Sequence, residues 1–296
     1  MTDSRPTLAD CIGIRTRFLR SINLEKDYGS ASSGNDYIVT PTCVDILRRV
    51  SEGLSPESTY RAWTVTGPYG VGKSAFAVFL TRLLCNEGKD GAGAWKLLAQ
   101  TAPTVASDLR SKLEALDGNK SGLFPVLVTA RRAPAAQCLA EGLRAALTPL
   151  KGAWARALSA EIGESLRGMH DGHGGANARV SALLASFAAG VQRGGYRGVL
   201  LLVDELGKVF EFAARTPQRG DVFAMQEIAE QASRSGAFPF LFFGFLHQSF
   251  DDYGQHLDGI TRKEWAKIHG RFEDIAFLEP VDQVVRMIAT ALQWQP

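Results

Sequence analysis

Cysteine is scarce: four in 296 residues, at positions 11, 43, 85 and 138, with no C-x-x-C pair. That pattern offers neither a zinc ribbon nor a disulfide framework, and free thiols in a reducing, cytoplasmic compartment are the expectation. Long apolar runs are missing too. No stretch reaches about 18 apolar residues, so no membrane-spanning helix is expected. The first residues, Met1-Thr2-Asp3-Ser4-Arg5-Pro6, lack the basic-then-apolar order of a secretory leader. Nor is one sign of charge in excess: 33 Lys and Arg against 31 Asp and Glu leave +2, too weak a field to argue for nucleic-acid binding alone. The basic groups at Arg15, Arg17 and Arg20, Arg48-Arg49 and Arg131-Arg132 read as solvated faces. No helix-turn-helix pattern or aromatic-basic ladder is evident. What remains is an ordinary globular composition, 45% hydrophobic and 22% charged, long enough for one large α/β domain with small appendages.

Against that background one stretch stands out. Gly67-Pro68-Tyr69-Gly70-Val71-Gly72-Lys73-Ser74 fits the phosphate-binding loop G-x-x-x-x-G-K-[ST], and its flanks suit it. Ala62 to Thr66 reads as a buried strand. After the loop, Phe76, Phe79, Leu80, Leu83 and Leu84 recur at helical spacing. A strand that turns through glycines into a helix aims several backbone N–H groups, including that of Ala75, at one point, and the positive helix end reinforces them. Lys73 is expected to reach β/γ-phosphates and the Ser74 hydroxyl to help hold Mg²⁺.

The rest of the chain reads as alternating strands and helices. Leu8 to Leu19 has helical character, and Thr40-Pro41 opens a helix with Val44, Leu47 and Val50 inward. Lys89 to Gly93 reads as a glycine-rich break, with helices on either side of Pro103 up to Leu116. Phe124 to Thr129 is a second core strand; Ala135 to Leu147 and Trp154 to Leu166 are helices. The loop Gly168 to Gly175 carries His170, Asp171 and His173, without the partner cluster that metal binding needs. Val180, Leu183, Leu184, Phe187 and Val191 mark a further amphipathic helix.

Val199 to Val203 is a third strand that runs into Asp204-Glu205. A continuous apolar run suits a strand buried on both faces, and acids at its C-terminal end emerge where open α/β sheets bind ligands. Asp204 is therefore expected to hold Mg²⁺ and Glu205 to polarise an attacking water. Phe238 to Leu246 is a fourth strand ending at His247-Gln248, and Asp274 to Leu278 a fifth. A final helix follows from Pro280, with Val284, Val285, Ile288 and Leu292 expected inward.

From about Arg61 onward, this order of elements resembles the AAA+ ATPase superfamily. Gly67 to Ser74 matches its Walker A loop and Val199 to Glu205 its Walker B strand. His247-Gln248 resembles the sensor-1 position, and Gly270-Arg271-Phe272 the stretch that supplies an arginine finger. Thr129, closing the second strand, resembles the position that restrains the catalytic glutamate. The resemblance implies an α/β P-loop NTPase fold: a three-layer sandwich around a five-stranded parallel sheet. Residues 1–60 would be an N-terminal helical extension, 61–279 the ATPase core and 280–296 the start of a helical lid, the chain being the front portion of a longer protein. It also implies a homo-oligomer with shared sites, in which Arg271 of one subunit reaches the nucleotide of its neighbour. ATP is expected over GTP because no guanine-reading N-K-x-D follows the fourth strand. The implied activity is Mg-dependent ATP hydrolysis, with Lys73, Glu205, His247 and Arg271 as catalytic residues. It would drive remodelling or loading of a macromolecular complex, with DNA or a protein–DNA assembly as partner. The long preamble and Asp204-Glu205-Leu206-Gly207-Lys208 are similar to ATPases of bacterial phage-defence systems. Two other readings stay open: a slow nucleotide-gated oligomerisation switch that recruits an effector, and a metabolite kinase.

Overall fold

The computed structural model describes residues 12–14, 24–28, 37–85, 89–120, 122–170, 176–216 and 222–294. A short strand β1 (Ile12–Ile14) forms a small antiparallel ribbon with β7 (Leu292–Trp294). The remaining five strands build one sheet: β2 (Ala62–Thr66), β3 (Phe124–Thr129), β4 (Val199–Asp204), β5 (Phe240–Leu246) and β6 (Glu273–Ala276). They pair in parallel in the order β3-β4-β5-β2-β6.

The continuous apolar strands have no polar face because the sheet has none. Along β4 and β5, Val199, Leu201, Val203, Phe240, Phe242 and Leu246 enter one core. Leu200, Leu202, Leu241, Phe243 and Phe245 enter the other. Burying each β5 phenylalanine contributes about 1.5–3 kcal/mol, which makes this central strand an anchor for both layers. On the second face lie α1 (Leu24–Tyr28), α2 (Pro41–Gly53), α3 (Lys73–Cys85), α4 (Lys89–Thr101) and α5 (Pro103–Ala115). On the first lie α6 (Ala135–Leu147), α7 (Ala153–His170), α8 (Ala176–Arg193), α9 (Gly207–Arg215), α10 (Phe223–Ser233), α11 (Phe250–Tyr253) and α12 (Gly259–His269). The result is a helix–sheet–helix sandwich. The N-terminal α1 and α2 share the core of α3: Leu24, Leu47 and Val50 are fully buried there.

Four expectations need correction. Ile12–Ile14 is a strand, not helix, because β-branched isoleucines find an antiparallel partner some 280 residues away. Lys89 to Gly93 is the first turn of α4, where packing of Ala94 and Leu98 into the core overrides the low helix propensity of glycine. Gly168 to His170 finish α7, while residues 171–175, with Asp171 and His173, lie outside the described residues. The last helix, α13 (Val281–Ala291), is amphipathic but turns its apolar side to solvent: Val284, Val285 and Ile288 are 41, 58 and 54% exposed. Leu292 belongs to β7 instead. Apolar periodicity reports that a helix has a face to cover, not that this chain covers it.

Candidate nucleotide-binding site

The three strands β2, β5 and β4 end side by side, with β5 between the other two, so their C-terminal residues form a row. Gly67 follows β2 and donates its N–H to the Leu246 carbonyl at 3.2 Å. His247 follows β5, and Asp204 closes β4. Motifs 130 residues apart in sequence thereby meet at one edge.

The glycines of the loop have distinct reasons. A Cβ at Gly67 would lie 2.6 Å from the Phe277 carbonyl oxygen, so backbone approaches backbone there. Gly70 and Gly72 have φ of +82° and +96°, the left-handed region that glycine enters freely, and a Cβ on either would face open space. After this turn the Phe76 N–H meets the Gly72 carbonyl at 2.9 Å and α3 begins. Gly67 is buried, Pro68, Tyr69 and Gly70 are exposed, and Val71, Gly72, Ser74 and Ala75 are half-buried. The loop is thus a rim with an open mouth.

Lys73 is 5% exposed, and its Nζ donates to the Gly67 and Pro68 carbonyls at 2.6 and 2.8 Å. Burial holds the ammonium below its ordinary pKa, and Asp204 partly offsets that. The Ser74 hydroxyl donates to Asp204 Oδ2 at 2.7 Å. This hydroxyl–carboxylate pair is an oxygen donor set that suits Mg²⁺. Among the described residues no group of three or more His, Cys, Asp or Glu could hold a metal by itself, so Mg²⁺ would need water and phosphate oxygens as its other ligands. Ser74 and Asp204 would hold it.

The turn after β4 is tightly specified. Asp204 Oδ1 accepts from the Glu205 N–H at 2.9 Å. Among the described residues Glu205 is the one non-glycine with positive φ, at 53°, a conformation that costs of order 1 kcal/mol and persists where surroundings impose it. Leu206 is buried, and its N–H donates to the Phe245 carbonyl at 3.0 Å. Gly207 admits no side chain, since a Cβ would fall 2.0 Å from the Tyr253 hydroxyl. Lys208 then forms an ion pair with the Glu205 carboxylate.

His247 stands between these parts. Its Nδ1 is 3.3 Å from Lys73 Nζ, and the Tyr69 ring stacks on the imidazole with centroids 3.5 Å apart. Burial, then Lys73, pushes its pKa below the ordinary value; Glu205 and Asp204 oppose this and Lys208 adds to it. A neutral imidazole that accepts from Lys73 at Nδ1 carries its proton on Nε2, which is buried and has no hydrogen-bond partner.

Lys73, Ser74, Asp204, Glu205 and His247 are therefore brought together, and Arg271 is not. Arg271 precedes β6, whose Glu273 pairs in register with Trp63, at the opposite edge of the sheet. Its guanidinium lies 3.2 Å from Glu230 and lines a cleft of about 320 Å³ with Tyr60 and Arg234. Thr129 pairs with Asp204 in register and donates its backbone N–H to Glu25 Oε1 at 2.6 Å; its own hydroxyl is buried without a partner. Sequence reasoning missed the Tyr69 stack, Glu25 and Lys208. Only Lys208 carried a signal, its position three residues after Glu205 at a helix start. Burial pushes the Cys43 thiol up to about 12 and raises that of Cys85 as well.

No protein-family model matches the chain, and no curated protein matches it significantly. Fold and site define an α/β protein whose five-stranded parallel sheet lies between two helical layers, an architecture compatible with a P-loop nucleotide-binding protein. Among the described residues no helix is long and apolar enough to cross a membrane.

Proposed function

We propose that this protein binds and hydrolyses ATP with Mg²⁺ as an AAA+-type ATPase. The observation that carries the reading is the 2.7 Å hydrogen bond from Ser74 to Asp204, with Lys73 and His247 3.3 Å apart beside it. The loop's glycines leave space for phosphate, and the buried Lys73 has two carbonyl oxygens and the His247 imidazole, all neutral, within hydrogen-bond distance, which a triphosphate would outcompete. Ser74 and Asp204 would hold Mg²⁺, which supplies charge neutralisation on the phosphoryl oxygens. Glu205 takes the proton of the attacking water as its oxygen closes on the γ-phosphorus. The bond to the β–γ bridging oxygen breaks, and its electron pair leaves with ADP. The His247 Nε2–H, a donor without a partner, would serve the water or a γ-phosphate oxygen.

The proposal extends to a homo-oligomer in which Arg271 of one copy serves its neighbour's nucleotide, since in its own chain it lies on the far edge. The work would be remodelling of a macromolecular, nucleic-acid-containing partner, as in bacterial antiviral systems. The ion pair on Glu205 favours a second reading, a slow nucleotide-gated switch, because a carboxylate engaged by an ammonium is a poorer acceptor for water.

The test is ATP binding and hydrolysis across a range of protein concentrations, for the wild type, Lys73→Ala, Glu205→Gln and Arg271→Ala. Nucleotide binding that survives Lys73→Ala unchanged would sink the ATPase reading. Specific activity that climbs with concentration and collapses in Arg271→Ala would support shared sites; flat activity indifferent to Arg271 would remove them. In the remodeller, Glu205→Gln stops the work cycle, whereas the switch is locked on.

A further inference from the structure

We propose that Lys208 is a second phosphate-binding lysine: Glu205 holds it at rest, and it passes to the γ-phosphate when ATP binds. This rests on the ATP reading above and adds a residue and a coupling to it.

The position of Lys208 is fixed by the turn that carries it. Glu205 is held in a left-handed conformation, Leu206 is anchored to β5 through the Phe245 carbonyl, and Gly207 is packed under Tyr253. Lys208 therefore starts α9 at a set place, three residues beyond the general base, and its ammonium pairs with that base. Its charge also bears on His247, whose Nδ1 is 3.3 Å from Lys73 Nζ. Two lysines, from α3 and α9, thus act on one imidazole. The other titratable groups acting on that imidazole are Asp204 and Glu205.

A triphosphate carries more charge than Lys73 and one Mg²⁺ balance, and its transition state spreads that charge over the γ-oxygens. Among the described residues, other cations near that edge are placed differently. Arg131 and Arg132, which leave β3 at the same edge, pair with Glu141 and Glu211, so moving them would not release Glu205, and Arg271 is on the far edge with Glu230. Lys208 is 40% exposed and its partner Glu205 31%. A half-exposed ion pair of this kind is worth about 0–1 kcal/mol, so a polyanion displaces it readily. One exchange then does two things: it adds a cation at the γ-phosphate and frees the Glu205 carboxylate for water. ADP, lacking the γ-phosphate, leaves the pair closed.

The experiment compares the affinities of ADP and of the non-hydrolysable β,γ-imido analogue of ATP in the wild type, Lys208→Met and Lys208→Arg. Lys208→Met should weaken the ATP analogue by about ten-fold or more, as expected for one lost charge-assisted hydrogen bond, and leave ADP within about two-fold. Lys208→Arg should restore most of the discrimination. A thermal melt of Lys208→Met close to the wild type would confirm that folding is intact. Parallel weakening of both nucleotides would assign Lys208 a structural role and overturn the proposal, as would no change in either. A wild type that binds ATP through Lys73 but keeps its ATP-to-ADP ratio in Lys208→Met overturns this inference alone. A wild type that binds neither nucleotide overturns both readings.

Discussion

Replacing Gly72 by alanine should separate the loop's role toward a ligand from its role in the fold. At φ of +96° an L-residue is strained, but a Cβ there would meet no protein atom within 4 Å. The folded protein should lose only the conformational term, about 1–2 kcal/mol, which for a chain of this size lowers Tm by about 2–4 °C. The folded protein should in addition lose nucleotide affinity, by about ten-fold or beyond, because the loop's N–H groups can no longer hold their orientation toward phosphate. Gly67→Ala should behave differently. Its Cβ would be forced to 2.6 Å from the Phe277 carbonyl and 3.3 Å from a Val71 methyl, and such overpacking costs about 1–3 kcal/mol even without a ligand. Calorimetric melts of both variants, paired with ATP and ADP titrations, separate the two effects. If Gly72→Ala binds nucleotide as tightly as the wild type, the loop is not a phosphate cradle and the functional reading built on it fails.

Other substitutions test other parts. His247 has a folded pKa below its unfolded value of about 6.5, so between those two values the unfolded chain holds a proton that the folded chain lacks. Stability should therefore fall as pH drops below about 6.5, and His247→Gln should gain Tm relative to the wild type at pH 5.5 but not at pH 7.5; an identical difference at both would contradict the assignment. Arg61 is 1% exposed and donates to the Gly53 and Ser55 carbonyls and the Ser235 hydroxyl at 2.6–2.7 Å. Arg61→Met should cost about 3 kcal/mol through the buried carbonyls left bare, lowering Tm by about 5 °C, and a melt unchanged within error would refute that account. On α13, Val285→Asp should shift Tm by no more than about 1 °C, since Val285 is 58% exposed; a large loss would mean that this face is covered in solution.

Much of the architecture was legible because it is local. The stripe Val180, Leu183, Leu184, Phe187 and Val191 is wholly buried, as its spacing implied, and the apolar runs at Val199 and Phe240 became central strands. The glycine-rich turn after β2 and the acids at the end of β4 could be located for the same reason: each lies within eight residues. Less legible were features whose cause lies elsewhere in the chain. Glycine in α4 is overruled by a core that α4 only helps to form, and the strand character of Ile12–Ile14 depends on β7. The helix at 281–291 showed an apolar face that the sequence could not say was left bare.

Taken alone, then, the order of residues determined most of the core strands and helices and the place of the glycine-rich turn after β2. Those properties follow from periodicity and from turn geometry over a few residues. Tertiary structure alone decided that β5 ends between β2 and β4, so that His247 lies beside Lys73. It also decided that Glu205 is turned into a left-handed conformation facing Lys208, and that Arg271 lies at the edge remote from Lys73. Strand order is set by which long crossover connections allow both faces of the sheet to be covered. That is a property of the whole packed chain, and no window of sequence contains it.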